Sequence, residues 1–154
     1  MSGVTYEQTS LLLELFDLRR EAKLREARDW FTANFNAATP EEMMQKFPFG
    51  TKENAYFRMV VSYWDMCAGI VNRGLIDDDL YFESNGEAWG VWDRVKGVVP
   101  GMRAMFGNTQ FLRPLEQLAG RLEAWREKNS PGSTAKMRQM MQQMAQARSQ
   151  SAKS

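Results

Sequence analysis

Residues 52–73, "KENAYFRMVVSYWDMCAGIVNR", constrain this chain more than any other stretch. At 100° per residue, Tyr56, Phe57, Met59, Val60, Val61, Tyr63, Trp64, Met66, Cys67, Ile70 and Val71 cover most of a helix circumference, leaving one narrow polar stripe of Asn54, Arg58, Ser62, Asp65, Gly69 and Asn72. A helix that is apolar nearly all round has to be covered by several partners. Arg58 and Asp65 interrupt it, so it falls short of the roughly 18–20 uncharged residues that cross a bilayer. The expected fold is therefore all-α, a compact bundle of about six or seven helices built around this rod, with an amphipathic helix at the C-terminus.

Helix-start signals recur along the rest of the chain. Thr5 to Gln8, Thr39 to Glu42 and Ser84 to Glu87 each have the capping-box form, in which a hydroxyl and a side chain three residues on satisfy each other's backbone N–H groups. The expected elements are a long first helix over 5–35, a short one from Pro40 to Phe47, the central rod, an acidic-started helix over 77–83, one from Asn85 to about Val99, an optional short helix up to Phe106, and a helix capped by Asn108 that runs to Lys128. A turn is expected at Pro100-Gly101, and a stop at Gly74. In the first helix the stripe Leu11, Leu15, Leu18 and Ala22 gives way to a rotated face of Ala27, Trp30, Phe31 and Phe35, so the helix either bends near Lys23 or serves two neighbours. Sustained period-two alternation, the mark of strands, is absent.

Residues 1–128 form the expected core domain. "NSPGS" at 129–133 reads as a linker, and 134–154 as a Met- and Gln-rich basic tail helix, partly disordered toward its end. The chain carries 20 basic and 19 acidic residues, a net of +1. From Lys128 onward five bases face no acid, and the preceding part holds fifteen bases against nineteen acids, a net of −4.

With no histidine and one cysteine, Cys67, the chain lacks the residues for Ser–His or Cys–His catalysis, for a structural zinc site, and for a Glu-x-x-His di-iron centre. No catalytic residue, metal or cofactor is assigned. A lone cysteine and an N-terminus without secretory-signal features set cytoplasmic residence as the default expectation. "IDDDLYFESNGEA" fails as a calcium loop, because counting from Asp77 puts Phe82 at the sixth position and Ala88 at the twelfth. In "FESNGEAWGVW" the preferred role of Glu87 is helix capping, with Trp89 and Trp92 in the core.

Two constellations remain. Arg58, Ser62 and Asp65 share one face of the rod, with Asp65 expected to pair with an arginine of the first helix, Arg19 or Arg25, in preference to Arg28. Such a cluster is either a register-fixing network or the polar part of a small-molecule site. In the tail, Met137, Met140, Met141 and Met144 make one helical stripe, suited to a protein partner or a second copy of the chain. Nucleic-acid binding is not expected, since net charge is near zero and no basic patch is interleaved with aromatics. Peripheral membrane contact through the tail is disfavoured: each base near an anionic surface contributes about 1 kcal/mol, and the tail has no Trp or Phe to insert.

At "LFDLRREAKLREARDWF", "FRMVVSYWDMCAGIVNRGLID" and "NGEAWGVWDRV" the chain resembles the bacterial family known as domain of unknown function 4760. The likeness runs from about Leu11 to Ala124 and leaves the tail outside. It implies a small, mostly helical bacterial protein and carries no activity. The leading expectation is a non-catalytic protein-interaction or self-association domain. The alternatives are a ligand-binding protein or carboxylate-dependent enzyme centred on Arg58 and Asp65, and membrane-surface association through the tail.

Overall fold

The computed structural model describes residues 3–154. These form nine helices and no strand: α1 (Tyr6–Arg19), α2 (Ala22–Asn34), α3 (Pro40–Lys46), α4 (Lys52–Asn72), α5 (Asp78–Ser84), α6 (Glu87–Val95), α7 (Val99–Phe106), α8 (Arg113–Asn129) and α9 (Ser133–Lys153). The helix α4 is the central rod. It packs most extensively on α8 and α2, while α6 lies on α8, and α9 folds back onto α8. Phe57, Trp64, Cys67, Ala68 and Val71 on α4 are fully buried. The core is aromatic where α2, α3 and α4 meet: Phe35 stacks between Phe31 and Phe57 at ring separations of 4.9 and 5.3 Å, and Trp30 meets Phe47 edge-on at 5.2 Å. Burial pushes the Cys67 thiol up to about 11, so it is a packing residue without thiolate character at neutral pH.

The bundle exceeds six or seven helices because the first expected helix divides. The first breaks at Arg20-Glu21, where the Glu21 carboxylate accepts from Lys23 N–H at 3.0 Å and Leu24 N–H at 2.9 Å and starts α2 afresh. Two helices then bury two unrelated faces: Leu15 on the first, and Leu24, Ala27 and Phe31 on the second. Leu18 and Ala22, assigned to the early stripe, are exposed as a result.

The expected helix from Asn85 to Val99 is shorter, Glu87–Val95, and the short helix up to Phe106 begins already at Val99. Pro100-Gly101 is no turn but the first turn of α7, where proline needs no N–H partner. Gly101 is there because a Cβ would collide with the Pro40 ring at the start of α3. Nor does Asn108 cap α8; it accepts from Gln110 N–H at 3.0 Å in a separate turn, and α8 begins at Arg113 after Leu112 adopts φ 56°.

The hydroxyl halves of the Thr5 and Thr39 boxes form, with 3.2 and 3.1 Å bonds from Gln8 N–H and Glu42 N–H, while the Gln8 and Glu42 side chains accept instead from Asp77 N–H and Ala38 N–H; Gly74 ends α4 at φ 79°. The third box does not form. Ser84 closes α5, α6 starts at Glu87 without a side-chain cap, and Asn85 turns its amide back onto Tyr81 O. Residues 130–132 make a tight turn with Gly132 at φ 85°, and Glu127 receives Gly132 N–H and Thr134 N–H, both at 2.9 Å, at the head of α9.

Candidate functional site

The polar stripe of α4 is where the fold becomes specific. At its lower end Asn54 is buried, donating to Phe47 O at 2.9 Å and accepting from Arg58 Nε at 3.1 Å. At its upper end Asn72 donates to Pro114 O at 3.0 Å and accepts from Arg121 at 2.7 Å. Between them Asp65 accepts Leu115 N–H at 3.0 Å. The stripe thus holds the first turn of α8, whose own start supplies only Leu112 and Pro114, neither able to cap it. Burial raises the Asp65 carboxyl above its ordinary range, against the lowering effect of the Leu115 N–H and the nearby Arg103.

Beside this network lies an open cleft of about 440 Å³, lined by Arg58, Val61, Ser62, Asp65, Met66 and Phe111 among others. Arg58 and Ser62 are exposed, with Ser62 Oγ turned onto Met59 O. Arg19 and Arg25 do not join them. Arg19 sits over the Phe16 and Trp64 rings at 4.5 and 5.9 Å and donates to Asn85 Oδ1 at 3.4 Å, while Arg25 is exposed on α2. The ion pair expected between Asp65 and the first helix is absent among the described residues. Its place is taken by Arg28, which grips Glu87 through Nε at 3.0 Å and Nη2 at 2.6 Å and donates to Arg19 O at 3.2 Å. The Glu87 bond is also the main reason the Arg28 pKa is raised.

The methionines of α9 divide. Met141 packs against the core, whereas Met137, Met140 and Met144 stay exposed. Arg138 and Arg148 point at the body, the first to Asp93 at 3.2 Å and the second to Thr32 O at 2.6 Å.

The reading from sequence missed an aromatic surface beside the cleft. Phe49 and Phe106 are exposed with rings 6.4 Å apart, and Phe106 meets Phe111 edge-on at 5.3 Å, which continues the patch to Met66. It also missed the outer side of α1, where Tyr6, Leu13 and Phe16 lie on one arc, with Tyr6 86% and Leu13 62% exposed. Apolar residues on the solvent side of their helices were the available signal.

Among the described residues no group of three or more acidic or sulfur ligands gathers as a metal site, and no helix is long and apolar enough to cross a membrane. The architecture defines a helical-bundle domain whose conspicuous surface features are apolar patches and clefts. The chain belongs to the family described as domain of unknown function (DUF4760), which matches residues 4–122, from before α1 to the middle of α8. No curated protein and no solved structure matches it.

Proposed function

We propose that this chain is a non-catalytic association domain whose first partner is a second copy of itself. The observation that carries this reading is the contiguous apolar surface Phe49–Phe106–Phe111–Met66, of the kind that marks interaction sites on soluble domains. Its rim is basic. Arg58 is exposed without a carboxylate partner among the described residues, and Arg103 and Arg113 share the single Glu116 carboxylate, each at 2.9 Å. The outer face of α1 is its complement. Tyr6, Leu13 and Phe16 are exposed there beside Glu7, Glu14 and Asp17, and Arg19 and Arg20 sit over the Phe16 ring at 4.5 and 5.8 Å. The match is apolar face to aromatic patch, with the three acids of α1 available to the basic rim.

A stable interface covers about 800 Å² per partner, and these patches supply only a few large side chains each, so the dimer is weak and concentration dependent. If the two contacts are reciprocal, the pair closes by two-fold symmetry; if not, chains grow. Light scattering over a wide concentration range tests this. Mass rising from monomer toward dimer supports association, and an invariant monomer removes it.

The cleft beside Arg58, Ser62 and Asp65 keeps a ligand-binding role as the second reading, favoured by its volume. Asp65, however, already holds Leu115 N–H. Membrane attachment has less support, because Arg138 and Arg148 face the body.

A further inference from the structure

We propose that the seam between α9 and the body is a binding site for a small organic anion with an apolar body, held by Arg94 and Arg148. The seam is a cleft of about 290 Å³ between the C-terminal end of α2, α6 and the middle of α9. From α6, half-buried Arg94 donates Nη1 to Phe31 O at 2.8 Å and Thr32 O at 3.0 Å, and Nη2 to Phe35 O. From α9, Arg148 donates Nη1 to the same Thr32 O at 2.6 Å. Two guanidiniums therefore converge on one carbonyl, and neither lies within ion-pairing distance of a carboxylate among the described residues.

The remaining charges of the seam are matched. Asp93 receives Arg138 at 3.2 Å and Lys96 at 2.8 Å, and Glu123 lies 3.7 Å from Arg138. The carbonyls ending α2 carry together about half an elementary charge, which offsets only part of one guanidinium. Burial, and then the charge of Arg148, hold the Arg94 pKa below its ordinary value, a tension that a bound anion relieves. Planar guanidiniums recognise carboxylate and phosphate oxygens in paired hydrogen bonds. Met141, Met144 and Ala145 wall the same cleft, so the anion carries an apolar body that lies against them. The volume is at the lower edge of small-molecule sites and selects short ligands. Half of the site comes from α9, which lies outside the family match at 4–122.

Isothermal titration of the full chain at low salt tests the proposal with four probes: hexanoate, hexyl phosphate, hexanol and hexylammonium. Saturable binding of either anion, with no saturable binding of the alcohol or the amine, is the expected result, and which anion binds decides between carboxylate and phosphate. Arg148→Gln weakens that binding about tenfold or more, the scale of one charge-assisted hydrogen bond, and Arg58→Gln leaves it unchanged. Should Arg148→Gln fail to fold, Met144→Glu on the exposed flank of the cleft serves in its place and abolishes anion binding by repulsion. Absence of saturable binding for both anions, equal binding of hexanol, or anion binding undiminished in these variants overturns the proposal.

Discussion

Asp65 of α4 caps α8 across fifty residues of sequence, its Oδ1 accepting Leu115 N–H at 3.0 Å. A helix that begins Leu112-Arg113-Pro114 has no side chain of its own to satisfy that donor. Removing the acceptor with Asp65→Ala is expected to cost about 1 kcal/mol, the usual value of an N-cap. Asp65→Asn keeps an acceptor and removes a buried charge, and stays within about 0.5 kcal/mol of the parent. Because the folded carboxyl is raised, the fold favours its protonated form, and its contribution falls as pH rises through the folded pKa. Urea unfolding at about pH 3 and about pH 7, either side of the carboxylate range, shows the Asn variant gaining relative to the parent at the higher pH.

Arg28 and Glu87 tie α2 to α6 by a two-pronged, partly buried ion pair. Each single alanine variant is expected to lose about 1–2 kcal/mol, and a double-mutant cycle to give about 1 kcal/mol of coupling that shrinks with salt. If Glu87 served only as a local cap, the coupling would be zero.

Glycines separate close approach from slack. A Cβ on Gly97 would collide with the Ala38 carbonyl oxygen, and nothing lies within 4 Å of one on Gly90. Gly97→Ala is expected to destabilise by about 1–3 kcal/mol. Gly90→Ala, inside α6, stabilises by about 0.5–1 kcal/mol. Thermal denaturation of the two variants reads both signs.

Glu127 holds the Gly132 and Thr134 amides at the head of α9, and those bonds keep its carboxyl below the ordinary range. A depressed folded pKa stabilises above the unfolded value and is lost as pH falls through the folded one. Amide exchange, compared with α4 as an internal standard, is therefore expected to rise in α9 on acidification, and in Glu127→Gln at neutral pH. Equal protection of α9 in the variant would show that the tail is held by Met141 and the arginines alone.

The rod was legible in the sequence because its pattern is local: eleven apolar positions leave one polar line, and that line is where α4 meets α8. What the line touches was not legible, since the need for a cap arises at Leu115, set by Leu112 and Pro114 far along the chain. In sequence Arg19 and Arg25 rank ahead of Arg28 by their nearness to the early apolar stripe; the break at Glu21 rotates the second half of that segment and turns Arg28 onto Glu87. The same break hid the outer face of α1, whose leucines run all round the helix and were read as a single stripe. Ser84 has the capping-box spacing, but α5 keeps it as its own last residue.

The central claim is that the α1 face of one copy fills the aromatic patch of another. Leu13→Asp spoils the first surface and Phe106→Asp the second, each at an exposed site that leaves the core untouched. Sedimentation equilibrium of the two variants, separately and mixed, measures the contact itself. The account predicts that neither variant self-associates and that the mixture forms a one-to-one complex; a mixture that stays monomeric, beside a parent that does the same, contradicts it.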